Sequence, residues 1–321
     1  MKKYFVFAAA VIALAACSSE EENVQTWNGE IRLSAVNVVQ TRAAQGIQST
    51  AFDEGEKIDV FINEDGESSS GGYEQPVVYK SGTGGVLTTD ETQYYPQSNG
   101  VNIFAVYPSG VAGTNVNETA VAFAVEEDQS EEEAYKASDL MVGAPANNPV
   151  SKTSGTVQLT FKHCLSKINI NISAGDGITE TDLQGATVTI LNTTTGGTFN
   201  VQTGVVTANG AQAAATPITA GTLEVREDTG VQGISAIIIP QTFLAGRRFI
   251  SIKYGGDQQT PATELFYTLP HGQTAGVDFA AGYSYTFNIT AKKSGLTLDG
   301  SNITNWTDYG DEFSGEATPT P

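Results

Sequence analysis

Apolar and polar residues alternate with a period of two along much of this chain, and no long amphipathic helical pattern interrupts them. Val157, Leu159 and Phe161 alternate with polar neighbours, and residues 283–289 repeat the pattern. Successive side chains of a β-strand point to opposite faces of a sheet, so this period predicts half-buried strands. Short strands separated by turn sequences such as Asp65-Gly66 are typical of β-sandwiches. We therefore expect an all-β fold.

Length and one turn-rich stretch predict two domains. The chain has 321 residues, and 321 − 16 = 305 remain without residues 1–16, which at about 150 residues per domain suggests two. Residues 143–155, GAPANNPVSKTSG, combine prolines, glycines and asparagines with little apolar content, which favours a boundary there. We expect tandem β-sandwich domains at residues 31–148 and 149–310, followed by a tail at residues 311–321.

The first residues have the features of a bacterial lipoprotein signal. Lys2 and Lys3 precede an apolar stretch at residues 5–14 that is too short to span a bilayer, and the string LAAC ends at Cys17. This string resembles the lipobox of bacterial lipoproteins, which implies cleavage before Cys17 and acylation of its sulfur. Residues 17–30 are polar and acidic, so we expect a flexible tether. An ordinary signal peptide with an incidental cysteine is the alternative.

The acidic run that starts at the cysteine indicates where such a lipoprotein would lie. CSSEEE is similar to the signal that sends lipoproteins to the outer face of the outer membrane in Gram-negative anaerobes with type V pili. We therefore expect a surface-exposed lipoprotein of the cell outer membrane. An anchor that faces the periplasm is the alternative.

Charge and residue usage exclude several classes of function. The net charge is −20, and loss of the two N-terminal lysines gives −20 − 2 = −22, which repels nucleic acid phosphates. Acylation of Cys17 would leave Cys164 without a disulfide partner. The chain has only 2 histidines, which weighs against most acid–base and metal chemistry. We expect neither an enzyme nor a cofactor.

Three groups of residues suggest sites, and each has a structural alternative. His163 and Cys164 are adjacent, but adjacent strand residues face opposite sides of a sheet and cannot form a nucleophile–base pair with each other. Acidic residues at 126–133 and 63–67 could bind calcium, although neither run has the spacing of a known loop and a solvated face is favoured. Scattered aromatic residues could stack on sugar rings but are more often core. They are Trp27, Tyr94, Tyr95, Tyr107 and Trp306.

The first strand pattern after the tether begins at Ile31. Ile31, Leu33 and Ala35 alternate with polar residues, and the phase then shifts to Val36 and Val38. A change of phase moves the apolar set to the other face of the sheet. The pattern therefore predicts a strand with a weakly specified register.

Several strings of the mature chain occur in an order that resembles a known family. The second half holds TVQLTFKHCLSKINI, AIIIPQT, FISIKYGG, AGYSYTFNIT and SNITNW, and the first half holds TRAAQ, FDEGEKIDVFI and DQSEEEAYKASDLMVGAP. From about Arg42 to about Trp306 the chain resembles the fimbrillin family, the lipoprotein subunits of type V pili. The resemblance implies a structural role and sandwich domains of Greek-key-like, transthyretin-like topology.

The resemblance also implies a maturation pathway. Fimbrillin-like subunits are exported as lipoproteins, cut after an arginine or lysine by a surface trypsin-like protease, and polymerised when a strand of another subunit replaces the strand that was lost. This implies lipidation at Cys17, cleavage between Arg42 and Ala43, and displacement of the strand at residues 31–40. An ordinary edge strand beside an incidental arginine is the alternative.

The C-terminus departs from the pattern of the family, because a donor strand is expected there. Residues 307–321 contain few strand-forming residues and end in a Pro-rich sequence. Either the donor is the segment at residues 296–306, or the chain is a tip, anchor or regulatory subunit and does not repeat in the shaft.

Two functions follow as expectations. The first is a structural and adhesive subunit of a cell-surface pilus, whose partners are other pilus subunits, outer-membrane lipid through Cys17 before cleavage, the processing protease, and a ligand on a host or bacterial surface. The second is a glycan-binding surface lipoprotein that stays anchored as a monomer.

Overall fold

The described part of the chain folds almost entirely into β-strands. The computed structural model describes residues 27–37, 52–66, 73, 75–210, 216–226, 230–256, 261–270 and 276–306. Its helices are α1 (Glu132–Ala137), α2 (Glu180–Leu183) and a 3-10 turn (Thr83–Gly85). No helix within these ranges combines the length and the apolar character that a membrane crossing requires. The predicted all-β class is confirmed.

Seven strands of the first half form one closed sheet, the ring. They are β1 (Arg32–Asn37), β2 (Lys57–Glu64), β3 (Val77–Ser81), β4 (Val86–Thr88), β5 (Val101–Tyr107), β7 (Met141–Pro145) and β8 (Thr156–His163). Their order is β1-β4-β3-β2-β5-β7-β8, and β8 pairs with β1 to close the ring. The alternation in β8 is strict, since Val157, Leu159, Phe161 and His163 are buried and the residues between them are exposed.

The second half is built around two four-stranded sheets. Its strands are β6 (Val121–Ala124), β9 (Ser166–Ala174), β10 (Thr187–Thr193), β11 (Gly196–Phe199), β12 (Val206–Ala208), β13 (Thr216–Thr222), β14 (Val225–Arg226), β15 (Gly230–Val231), β16 (Ile234–Ile238), β17 (Gln241–Phe243), β18 (Arg248–Tyr254), β19 (Thr263–Thr268), β20 (Val277–Phe279), β21 (Tyr283–Lys292) and β22 (Gly295–Asn305). The main sheets have the orders β13-β10-β18-β19 and β16-β9-β21-β22, so most neighbours are distant in sequence.

Two clusters of buried apolar side chains fill the molecule. One lies inside the ring and includes Ile58, Val60 and Ile62, and the other fills the second half. Phe61 and Val106 lie on the outer face of the ring but belong to the second cluster. Strand β2 is therefore covered on both faces, which explains why Val60, Phe61 and Ile62 are apolar and buried in succession and do not alternate with exposed residues.

The ring crosses the expected domain boundary. The predicted division between residues 148 and 149 falls in the connection between β7 and β8, which pair with each other in the ring. Cys164 is the first residue after β8 in the second cluster. Strand β6 lies between β5 and β7 in sequence, but it is not part of the ring and pairs instead with β11 of the second half. We therefore propose a boundary after His163.

Candidate functional site

Strand β1 closes the ring and has a neighbour on each side. It pairs in parallel with β8 at six consecutive positions, from Arg32↔Thr156 to Asn37↔Phe161. On its other side it pairs with β4 only at Leu33↔Leu87 and Ser34↔Val86. The prediction of a weakly specified register is wrong over these residues, because the pairing with β8 contains no shift.

The inward face of β1 is part of the ring core. Ile31, Leu33 and Ala35 are 4%, 1% and 1% exposed and belong to the cluster inside the ring. Val36 continues the alternation on the outward face and is half-buried. The predicted change of phase is therefore absent at Val36, whereas Val38 lies outside the described residues.

The residues before β1 are fixed to a second loop. The Ile31 amide donates to the Gln93 carbonyl at 2.8 Å, and the Tyr95 amide donates to the Gly29 carbonyl at 2.8 Å. Trp27 packs edge-on against Tyr95, with ring centroids 6.0 Å apart. The N-terminal end of β1 is therefore held by backbone hydrogen bonds and by an aromatic contact.

A cavity of about 280 Å³ opens beside the short seam between β1 and β4. Arg32, Val86, Thr156 and the buried Tyr79 are among its lining residues. The Tyr79 hydroxyl has no hydrogen-bond partner among the described residues. Burial, assisted by the charge of Glu30, raises the pKa of this hydroxyl. The β4 side of β1 is thus less completely packed and bonded than the β8 side.

Three of the predicted processing residues lie outside the described part of the chain. They are the lipidation residue Cys17 and the two residues of the scissile bond, Arg42 and Ala43. Strand β1 ends at Asn37, and the described chain resumes at Phe52. Lipidation and cleavage therefore remain predictions.

His163 and Cys164 lie in different environments, as expected for adjacent residues. The His163 Nδ1 atom is 2.7 Å from Asp139 Oδ1, and the His163 ring stacks on the Trp306 ring at 4.0 Å between centroids and 4° between planes. Cys164 is buried, and burial raises the pKa of its thiol to about 12. A thiol with such a pKa is a poor nucleophile at neutral pH.

The His163 environment is a buried polar cluster at the junction of the two halves. Asp139 and Lys167 are buried with His163, and one Asp139 oxygen, Oδ2, has no hydrogen-bond partner within the described ranges. Burial lowers the pKa of Lys167 to about 8, an effect that the charge of Asp139 opposes. Sequence reasoning missed this cluster, although an aspartate directly before the apolar residues Leu140 and Met141 was a signal that a buried carboxylate needed a partner.

Strand β22 is the last described strand and pairs with β21 from Tyr283↔Asn305 to Lys292↔Gly295. It lies at the end of the sheet β16-β9-β21-β22. Most of its side chains are exposed or half-buried, but Trp306, directly after it, is 3% exposed. The Trp306 amide donates to the Gly282 carbonyl at 2.6 Å. One residue therefore fixes the end of an otherwise exposed strand.

The acidic runs have structural contacts. Lys136 Nζ lies 2.8 Å from Glu132, 2.6 Å from Asp53 and 3.3 Å from Glu56, and so connects α1 to the turn before β2. Hydrogen bonds from Ser130, the larger from its side chain and the second from its backbone amide at 3.0 Å, lower the pKa of the Asp128 carboxyl. Within the described ranges no group of three or more His, Cys, Asp or Glu side chains could hold a metal ion.

The aromatic residues proposed to stack on sugar rings do not form one exposed platform. Tyr95, Tyr107 and Trp306 are buried in the core clusters, and Trp27 is half-buried against Tyr95. Tyr94 is 47% exposed. Stacking on a sugar ring requires an accessible aromatic face, so four of these five residues are poorly placed for it.

Comparison with known sequences identifies one family. The model of the fimbrillin-like family matches residues 41–306, which include every described strand except β1. A Bacteroides uniformis protein described as a fimbrium subunit, Fim1C, is 28% identical over 316 residues, covering 96% of this chain and 96% of that protein.

Solved structures have the same fold. The crystal structure of a Bacteroides uniformis protein described as a cell adhesion protein is 24% identical, has a TM-score of 0.63, and covers 87% of this chain and 100% of that one. A second protein of that description, from Bacteroides ovatus, is 18% identical with a TM-score of 0.63, and covers 88% and 98%. At these identities the likeness concerns the fold alone.

Proposed function

Because the chain belongs to the fimbrillin-like family, we propose that it is a structural and adhesive subunit of a cell-surface pilus and has no catalytic role. Its relative Fim1C is described as a fimbrium subunit. The subunit would be made as a lipoprotein precursor, cut after Arg42, and assembled with other subunits by strand exchange. Before the cut, the acylated Cys17 would hold the precursor in the outer membrane.

The observation that carries the assembly step is the position of β1 in the ring. Its loss would unpair the β4 edge and the six positions of β8, and would uncover the core that Leu33 and Ala35 now fill. An exposed strand edge and an apolar groove favour the addition of a strand from another chain. The predicted cut after Arg42 lies C-terminal to β1, so one cut would separate tether and strand from the remaining chain.

The end of the described chain bears on which subunit type this is. Strand β22 pairs with β21 at ten positions, and the buried Trp306 fixes the C-terminal end of β22. Leaving the sheet would cost both the pairing and the burial of a large aromatic side chain. These contacts favour a subunit that receives a strand over one that donates β22, which supports a tip, anchor or regulatory position.

Limited trypsin digestion tests the cleavage step. We expect trypsin to produce a stable product that begins at Ala43, and Arg42→Gln to abolish that product. Arg226→Gln, at an exposed position of β14, is the matched control and leaves the product unchanged. N-terminal sequencing identifies the cut. Cleavage at other sites with an intact Arg42–Ala43 bond would contradict the proposal.

Assembly is tested separately from cleavage. The cut protein, freed of residues 1–42, is expected to form ladders that resist SDS, because a strand inserted into the ring dissociates slowly. A synthetic peptide of residues 29–42 should compete for the vacated position and suppress the ladders. Cut protein that stays monomeric and does not bind the peptide would contradict strand exchange but not cleavage.

A further inference from the structure

The outward face of the sheet β16-β9-β21-β22 carries an uncharged polar surface. Ser235, Asn169, Thr286 and Asn302 form one row across the four strands, in register. Every side chain in this row is an amide or a hydroxyl. This row is therefore uncharged, although the Asp299 carboxylate, which accepts a hydrogen bond from Thr290, lies farther along the same face.

The next row, which we call the trough, consists of two amides between two glycines. Asn171 and Asn288 are paired in the two central strands, Gly300 is paired with Asn288 in β22, and Gly233 precedes β16 on the other side. A Cβ atom on Gly233 would lie 2.6 Å from Asn171 Oδ1, and one on Gly300 would lie 3.9 Å from Asn288 Nδ2. Gly300 therefore adds no side chain beside the Asn288 amide, whereas the backbone of Gly233 packs closely against Asn171 Oδ1.

Hydrogen bonds fix the orientation of the amides. Asn171 Nδ2 donates to Asn288 Oδ1 at 2.8 Å, which leaves Asn171 Oδ1 as an acceptor and Asn288 Nδ2 as a donor at the exposed surface. In the row below, Asn169 Nδ2 donates to Ser284 at 2.7 Å, and the Ser235 hydroxyl donates to Asn169 Oδ1 at 2.8 Å. The Asn169 side chain is thus held by hydrogen bonds to both neighbouring strands.

A cavity adjoins the two rows at β16. A cavity of about 580 Å³ lies beside β16, and Gly233 and Ser235 belong to both its wall and the polar rows. Ser130, Thr222 and Gln232 add further hydroxyl and amide groups to the wall, and Glu131, Glu132 and Glu224 add carboxylates. This volume is within the range of about 300–1,000 Å³ that small-molecule sites have.

We infer that the trough and this cavity together bind a neutral saccharide chain. Amides, hydroxyls and carboxylates can satisfy both the donor and the acceptor capacity of sugar hydroxyls. The neutral rows do not repel such a ligand, whereas the carboxylates of the cavity would repel a polyanion. If an apolar protein surface covered the trough, the amides would have no hydrogen-bond partners, which disfavours a partner of that kind. The inference does not depend on strand exchange or on cleavage after Arg42.

Affinity electrophoresis in native gels that contain mannan, dextran or β-glucan tests the inference. We expect at least one of these neutral polysaccharides to retard the full chain, and polygalacturonate, which is anionic, not to do so. Gly300→Thr fills the trough at a site where a Cβ atom makes an ordinary contact, and Asn288→Ala removes the donor. Each is expected to weaken binding about tenfold, the effect of losing one well-formed hydrogen bond.

Thr160→Val, at an exposed position of β8, is the matched control and should bind as the unmodified chain does. Circular dichroism and thermal unfolding establish that each variant is folded. Absence of retardation in all three neutral gels would overturn the inference, as would equal retardation of a folded Gly300→Thr variant. A concentration-dependent dimer in sedimentation that Gly300→Thr abolishes would instead assign the trough to a second copy of the chain and overturn the saccharide assignment.

Discussion

The first and last described strands are held in opposite ways. Strand β1 has neighbours on both sides and buries Ile31, Leu33 and Ala35, but it reaches β4 at only two positions. Strand β22 has one neighbour and a mostly exposed surface, yet Trp306 fixes its end in the core. Strand β1 buries three side chains fully along one face, whereas β22 is fixed by one fully buried residue, Trp306, with Leu296 and Leu298 only half-buried against the core.

This difference determines what the loss of each strand would do. Removing β1 would uncover a continuous groove with two unpaired edges, which another strand can fill. Removing β22 would uncover the β21 edge, the Trp306 site and the smaller contacts of the half-buried Leu296 and Leu298. The fold is therefore better suited to exchanging its first strand than its last, and substitutions in each strand can test this contrast.

The largest effect is expected from a charge on the inward face of β1. Leu33→Asp would bury a carboxylate in the ring core and should lower the free energy of unfolding by more than about 4 kcal/mol. The matched control is Ser34→Asp, whose side chain lies on the outward face, with an expected loss of about 1 kcal/mol or less. Urea unfolding of both variants measures the difference. Equal losses would show that the ring core does not depend on β1.

Loss of the Trp306 contact should have the next largest effect. Trp306→Ala is expected to lower the free energy of unfolding by about 3–5 kcal/mol and to speed amide hydrogen exchange in β22. Ile303→Ala, in the same strand at a side chain that is 38% exposed, should cost about 1 kcal/mol or less. If both variants exchange at the same rate, β22 is held along its length and the contrast with β1 fails.

The buried cluster behind Trp306 should make stability depend on pH. The pKa of Lys167 is about 8 in the folded chain and about 10.4 in an unfolded one. Between these values the unfolded state binds more protons, so the contribution of Lys167 to stability rises with pH, by up to about 1.4 kcal/mol per pH unit. Lys167→Met should remove this rise, and urea unfolding from pH 7.5 to 10 measures it. Parallel curves for the two proteins would contradict the assignment.

The smallest effect is expected at the turn before β2. Lys136→Met would leave Asp53, Glu56 and Glu132 close together without a cation and should cost about 1 kcal/mol. Because salt screens repulsion, added NaCl should restore part of the loss. Lys80→Met, which removes an exposed ion pair with Asp90 at 3.7 Å, is the control and should change stability by less than about 0.5 kcal/mol. A loss that salt does not reduce would contradict the electrostatic explanation.

Much of the strand content was predictable, because alternation is a local signal. The alternating residues of β8 and β21 lie in strands as predicted. The position of β8 was not predictable, since its apolar face could pack on either core. The turn-rich stretch before it indicated a boundary, but its prolines and glycines mark a connection between paired strands as readily as a domain linker.

The candidate site was predictable in part. Ile31, Leu33 and Ala35 were identified as one face of a strand, and all three are buried. The parallel partner β8 lies more than 100 residues later in the chain and pairs through backbone groups, which carry no residue-specific signal. The Asn171–Asn288 pair and the His163–Trp306 stack join residues 117 and 143 positions apart, since 288 − 171 = 117 and 306 − 163 = 143. Only the sheet registers bring these residues together.

The sequence alone determined the all-β class and the inward face of the first strand, because period and composition are local properties. Tertiary structure alone decided that β1 closes a ring, that Trp306 fixes β22, and that two asparagines share a glycine-sided trough. These features depend on strand order and register, which are set by the packing of side chains distant in sequence. That packing is also what makes the first strand, and not the last, the one whose departure would open a groove.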